Sequence, residues 1–178
     1  MPYANESAVS RAARVRLMVF DVDGVLTDGC LQYGPEGEAV KTFNVQDGLG
    51  IKLLRQGGVK TAIITARNSL IVAKRAADLG IDHVQQSAHD KKTAFEQLLA
   101  HFGFAADEAG FVGDDWIDLP VLTRAGFAVS VPNGRAEVRE RAHFVTQAAG
   151  GYGAVREVCE FVLRAQGRFD AALAPYLA

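Results

Sequence analysis

The chain has 178 residues, 49% of them hydrophobic, with 19 Lys and Arg against 21 Asp and Glu and a formal charge of −2. That is the size of one domain with a substantial core, and the near-balanced charge excludes the basic field that a nucleic-acid partner requires. No run approaches the roughly 18 apolar residues of a membrane helix, and the start Met1-Pro2-Tyr3-Ala4-Asn5-Glu6 lacks the basic and apolar regions of a secretory leader, so a cytoplasmic protein without a membrane partner is expected.

The first predicted element is the apolar run Leu17-Met18-Val19-Phe20, a buried strand that feeds Asp21-Val22-Asp23-Gly24. Residues 30–33 and 40–43 then flank Gly34-Pro35-Glu36-Gly37 and read as a β-hairpin. Helices are predicted over 47–57, 68–79, 91–102, 115–125, 135–141 and 153–166. Strands are predicted over 60–64, 109–112, 127–131 and 143–145, with a weaker one near 83–85. Gly57, Gly80, Gly103, Gly126 and Gly167 fall where helix C-terminal caps belong, and only the first ten residues and the tail from about 168 read as loose. This alternation predicts an α/β, three-layer, Rossmann-like fold with a mainly parallel central sheet. It fills a single domain over 1–178, with the hairpin after the first strand.

Cys30 and Cys159 are too few and too distant for a disulfide framework or a zinc site, and reduced, partly buried thiols are expected. The four histidines, His83, His89, His101 and His143, show no paired metal spacing. Trp116 and Tyr152 read first as packing or interface residues.

One Asp-x-Asp-Gly is by itself an ordinary strand-end turn. Three later segments change its meaning, since each strand-like run ends in a residue suited to phosphate chemistry: Ala62-Ile63-Ile64-Thr65, then Val84 followed by the helix carrying Lys91, then Phe111-Val112-Gly113-Asp114-Asp115 with Asp118 beyond. In that order the motifs resemble the haloacid dehalogenase superfamily of phosphotransferases, over most of the chain. The blocks DVDGVLTDG, FNVQDGLGIKLL, GDDWIDLPVL and AGGYGAVREV resemble, within it, the bacterial 3-deoxy-D-manno-octulosonate 8-phosphate phosphatases of lipopolysaccharide sugar synthesis.

The resemblance implies a phosphomonoester hydrolase working through an aspartyl phosphate. Asp21 is the expected nucleophile and Asp23 the expected acid and base. Asp21 and Asp114 would hold Mg2+ through hard oxygen ligands, and the resemblance adds the backbone carbonyl of Asp23. Thr65 would donate to phosphate oxygens, and Lys91, with its neighbour Lys92 as the alternative, would neutralise phosphoryl charge. Arg67 is the candidate for a sugar-acid carboxylate, or else an exposed helix-start arginine. Asp115 and Asp118 could reach metal-bound water, and Asp118 serves equally well as a first-turn residue stabilised by the helix dipole.

Neither the interval from Asp21 to Thr65 nor that from Thr65 to Lys91 has room for the inserted cap domain common in the superfamily. A second subunit is then expected to cover the crevice, and the resembling family is a homotetramer. Against that family, Gln46 replaces an arginine, Ala66 and Ser87 replace glycines and Tyr152 replaces an arginine, which removes two cationic side chains from sugar-acid recognition. A nine-carbon sialic-acid 9-phosphate phosphatase and a non-catalytic phosphatase-like assembly module are the alternatives. A signalling receiver module would place its phosphoacceptor on the third strand, and the order of motifs speaks against it.

Overall fold

The computed structural model describes residues 6–178. Helix α1 (Glu6–Ala12) leads into β1 (Leu17–Phe20), the hairpin β2 (Gln32–Gly34) and β3 (Gly37–Val40), and α2 (Val45–Gln56). Next come β4 (Lys60–Ile64), α3 (Leu70–Leu79), β5 (His83–Gln85), α4 (Lys91–Phe102) and β6 (Ala109–Val112). The chain closes with α5 (Leu119–Leu122), β7 (Phe127–Ser130), α6 (Ala136–Arg139), β8 (Phe144–Val145), α7 (Ala154–Ala165) and α8 (Phe169–Leu173).

Six strands form one parallel sheet in the order β5-β4-β1-β6-β7-β8, and β2-β3 stands apart as an antiparallel pair. Strand β1 is central because its four residues are all apolar and can be buried on both faces, as parallel strands require. Alternation then divides the core. Met18 and Phe20 pack on one side with Ile63, Val129 and the apolar stripe of α7, while Leu17 and Val19 pack on the other with Phe95, Leu98, Phe111 and Leu122. In α7, Val155, Val158, Cys159 and Val162 recur at helical spacing and are fully buried. Phe144 and Phe161 stack with ring centres 4.4 Å apart, so truncating Phe161 to alanine would cost about 3–5 kcal/mol.

Helix α2 starts where Asn44 accepts hydrogen bonds from the N–H groups of Gln46 and Asp47, and α4 where Asp90 accepts from the N–H of Thr93. Only the hairpin and α2 lie between β1 and β4, and only α3 and β5 between β4 and α4. No cap domain is inserted in either interval, as the spacing predicted. Among the described residues, no helix is long and apolar enough to cross a membrane.

Three expectations need correction. The helix predicted over 115–125 is a 3₁₀ turn, Trp116–Asp118, followed by the short α5, in whose first turn Pro120 sits; Gly126 then caps nothing, its N–H donating instead to Ala106 O. The helix predicted over 135–141 shrinks to the four residues of α6. The loose ends are partly ordered: residues 1–5 lie outside the described residues, residues 6–10 belong to α1, and Phe169 begins α8 with the Arg164 guanidinium 3.3 Å from the centre of its ring. Cys30 is exposed and Cys159 fully buried, and both are free thiols.

Candidate active site

The strand order reverses direction at β1, which is flanked by β4 and β6. Crevices open at the C-terminal edge of such a point. Asp21 follows β1, Thr65 follows β4 and Asp114 lies two residues beyond β6, so three separate apolar runs deliver polar side chains to one place. The N–H of Asp21 still donates to Val112 O at 3.0 Å, extending the sheet by one residue before the chain turns. Val22 O then accepts from the N–H groups of Val25, Leu26 and Thr27, closing a tight loop. Gly24, at φ +94°, is required there: a Cβ would collide with the Asp114 carboxylate.

Asp21, Asp114 and Asp118 each bring one carboxylate oxygen within 4.8 Å of the others. Lys91, first residue of α4, is buried among them, its Nζ 2.8 Å from Asp21 Oδ1 and 2.6 Å from Asp118 Oδ1. Asp118 is completely buried, and its second oxygen accepts from the N–H groups of Asp114 and Asp115 at 3.0 and 3.2 Å. Gly113 permits this turn, since a Cβ there would lie 2.6 Å from Asp118 Cβ.

Three carboxylates against one ammonium leave negative charge in a desolvated place. Burial, with repulsion from Asp21 and Asp118, raises the pKa of Asp114 from 3.8 to about 8. Burial and Asp118 likewise raise Asp21, opposed by Lys91. For Lys91, burial alone would lower the pKa, but Asp21 and Asp118 outweigh it and hold the ammonium charged. Asp114 Oδ1 is buried with no hydrogen-bond partner. An orphaned carboxylate oxygen in an anionic cluster fits a hard divalent cation such as magnesium.

Asp23 belongs to a different group. Its Oδ1 accepts a short hydrogen bond from Lys41 Nζ, and its Oδ2 is 3.7 Å from Arg67 Nε. Lys41 Nζ is also 2.8 Å from Glu38 Oε1, and Glu38 Oε2 accepts from Ser69 Oγ at 2.5 Å. Arg67 donates to the Tyr33 hydroxyl at 2.9 Å and approaches Glu38 Oε1 at 3.6 Å. The hairpin therefore supplies Tyr33, Glu38 and, just past its second strand, Lys41.

Thr65 is buried, and its hydroxyl accepts from the N–H of Arg67 at 3.4 Å. Helix α3 begins only at Leu70, so residues 66–69 separate Thr65 from the helix start expected beside it. Lys92 is partly exposed and pairs with Glu96 at 3.8 Å, leaving Lys91 as the lysine of the crevice. Asp115, expected to reach toward metal-bound water, is exposed and caps the 3₁₀ turn by accepting from the N–H of Trp116; Asp118, read either way, is the buried one. Trp116 is exposed, with its indole N–H donating to Glu137.

The sequence reading missed Lys41, Glu38, Ser69 and Asn133. Asn133 donates to Gly24 O at 2.9 Å and accepts from the N–H of Gly150 at 2.7 Å, tying the Asp21–Gly24 loop to the glycine-rich segment before α7. The one available signal was the opposite charge of Glu38 and Lys41 three residues apart, at the second arm of the hairpin.

The sheet, the buried lysine and the carboxylates just past β1 and β6 accompany a known class: the chain belongs to the haloacid dehalogenase-like hydrolases, whose family profile matches residues 82–157. Among its relatives, the 3-deoxy-D-manno-octulosonate 8-phosphate phosphatase KdsC of Yersinia pestis is 41% identical over 126 residues, 71% of this chain and 67% of that protein. The crystal structure of the 3-deoxy-D-manno-octulosonate 8-phosphate phosphatase from Moraxella catarrhalis, in complex with magnesium, phosphate and KDO, is similar with TM-score 0.93 and 44% identity, covering 95% of this chain and 97% of that one. A probable YrbI family phosphatase from Pseudomonas syringae pv. phaseolica has TM-score 0.96 and 46% identity, over 98% and 99% of the two chains.

Proposed function

We propose that this chain is a magnesium-dependent phosphatase that releases phosphate from 3-deoxy-D-manno-octulosonate 8-phosphate, in lipopolysaccharide sugar synthesis in the cytoplasm. The observation that carries the reading is the buried Asp21–Lys91–Asp118 chain beside the orphaned Asp114 oxygen. It is supported by a relative crystallised with magnesium, phosphate and the sugar acid.

Asp21, Asp114 and the Asp23 backbone carbonyl would hold magnesium, which when bound offsets the charge of the nucleophile and the phosphoryl group. Asp21 attacks phosphorus; its new oxygen–phosphorus bond forms as the bond to the sugar oxygen breaks. Asp23 gives that departing oxygen a proton. In the second step Asp23 takes a proton from water, the water oxygen bonds to phosphorus, and the aspartyl phosphate opens to regenerate Asp21. Lys91, fixed between Asp21 and Asp118, and the Thr65 hydroxyl meet the charge on the phosphoryl oxygens. Asp118 acts through Lys91 and through the turn that carries Asp114. Asp115 stands aside as a cap.

Arg67 is assigned to the substrate carboxylate. Its guanidinium is about one-third exposed and has five N–H donors, of which Tyr33 engages one. The nine-carbon alternative would call for an acidic residue at this position, and the Asp21, Lys91 and Asp114 cluster, with Asp23 two residues past Asp21, counts against a non-catalytic module. The exposed hairpin side chains Leu31, Tyr33 and Val40 suit burial against another copy of the chain, and a homotetramer is proposed on that basis.

The test is phosphate release from sugar-acid phosphates and from neutral hexose phosphates, with magnesium and with a chelator. The octulosonate ester should be preferred, chelation should stop turnover, and Arg67→Ala should narrow the preference. Equal rates on both classes would refute the sugar-acid assignment, and turnover that survives chelation would refute the metal.

A further inference from the structure

Lys41 lies outside every motif assigned to the reaction, yet its side chain is only 1% exposed. A buried ammonium persists only where anions meet it, and here two do: Asp23 Oδ1 and Glu38 Oε1. Burial alone would lower the Lys41 pKa, and the two carboxylates outweigh it. Among the described residues, Lys41 is the one hydrogen-bond donor to the Asp23 carboxylate, since Arg67 Nε at 3.7 Å lies beyond bonding distance. The contrast with Asp118 is sharp, because three donors lock that carboxylate. Glu38 is itself held by Ser69, so a continuous polar chain runs from Ser69, just before α3, through the hairpin to the loop after β1.

We propose that Lys41 is a positioning residue for Asp23: its ammonium fixes one carboxylate oxygen and leaves the other to face the leaving-group oxygen. The inference rests on the reading of Asp23 as the proton-transfer group. Proton transfer needs the two heavy atoms within about 2.6–3.2 Å of each other. A misplacement of about 1 Å costs on the order of 10²-fold in rate. A carboxylate with a single donor is exposed to that loss, whereas substrate held by Lys91, Thr65 and Arg67 is not.

The experiment compares wild type, Lys41→Met, Lys41→Arg, Asp23→Asn and the Lys41→Met/Asp23→Asn double variant on 3-deoxy-D-manno-octulosonate 8-phosphate and on 4-nitrophenyl phosphate. Lys41→Met keeps the buried stem and removes the ammonium. Its kcat on the sugar phosphate should fall by about 10²-fold with KM changed little, while the aryl phosphate, whose leaving group needs no proton, suffers less. The ratio of the two rates is read within one preparation and is independent of the fraction that folds. Lys41→Arg should recover part of the ratio, and the double variant should be no slower than Asp23→Asn alone, because Lys41 acts through Asp23. An unchanged ratio, a loss confined to KM, or losses that multiply in the double variant would overturn the proposal while leaving the role of Asp23 intact. If Asp23→Asn itself keeps full activity on the sugar phosphate, the underlying reading of Asp23 fails and the Lys41 inference fails with it.

Discussion

Two clusters of charge face each other across the loop after β1, and they are built in opposite ways. Asp21, Asp114, Asp118 and Lys91 follow sheet strands or open a long helix; Asp21, Asp118 and Lys91 are buried, Asp114 is half-buried, and backbone N–H groups anchor Asp118. Asp23, Lys41, Glu38 and Arg67 meet over a two-stranded hairpin that pairs with no other strand, and are joined by side chain to side chain contacts alone. The sheet-borne half suits bond making at phosphorus, where a rigid array costs nothing to reorganise. The hairpin-borne half suits proton transfer and substrate choice.

The largest effect should come from the rigid half. Asp21→Asn removes the proposed nucleophile and magnesium ligand, and turnover should drop by at least about 10⁴-fold with no phosphoenzyme. Rapid-quench trapping with labelled substrate and peptide mapping checks this, and label on any other residue would reverse the roles of the two clusters. Asp23→Asn should keep the metal and lose about 10²- to 10⁴-fold, less on an activated aryl phosphate. Equal losses on both substrates would deny the hairpin side its part in proton transfer.

Asp118→Ala tests whether the buried half also carries stability. It leaves two buried backbone N–H groups without an acceptor, while Lys91 keeps Asp21 as its partner, and a urea titration should show a loss of about 1–3 kcal/mol. The effect of magnesium should depend on pH. A carboxyl whose pKa is raised on folding keeps its proton in the folded chain after the unfolded chain has released it. Its stabilising contribution is therefore full below the ordinary value of 3.8 and is lost as pH rises through the folded value, about 8 for Asp114. Metal-free protein should lose stability across that window, and magnesium fixed at 100 times its Kd at pH 8 should restore about 2.7 kcal/mol there and less at pH 5, where protons compete for Asp114, visible as a larger rise in Tm at pH 8.

The smallest effect concerns Ser87, the one described non-glycine residue with positive φ, at +56°. The family glycine expected there from sequence now has a backbone reason. Ser87→Gly should raise stability by no more than about 1 kcal/mol, since relief of the left-handed strain is partly offset by a freer unfolded chain. Thermal melts would resolve the sign.

The contrast between the clusters also explains what was legible in the sequence. Asp21, Thr65, Lys91 and Asp114 could be placed because each follows an apolar run whose end is visible in the pattern, and β1, β4, β5, β6 and α4 have the bounds that pattern predicts. Lys41 and Glu38 escaped because nothing local tells which face of a hairpin turns toward the site; that depends on how the hairpin folds back over β1. Asp115 and Asp118 were weighed from spacing alone, but burial separates them: the 3₁₀ turn directs Asp118 inward and leaves Asp115 as its cap. Removing everything beyond Gly150, a natural way to probe a C-terminal tail, would delete α7 and unfold the core instead.

Gly150 approaches the carbonyl of Gly24 so closely that any side chain would collide with it, and the N–H of Gly151 donates to Val25 O at 3.0 Å. The loop bearing Asp23 thus rests on backbone more than 120 residues later in the chain. On the ribosome β1 emerges early, but it lacks its neighbour β6 until residue 112 and its glycine buttress until residue 151. A nascent chain carries Asp21 through most of synthesis on an apolar strand with only β4 available to pair with it and its other edge open, the kind of segment that invites aggregation and chaperone binding. A cut between α6 and α7 should accordingly give two fragments that are inert apart and regain the site only on association.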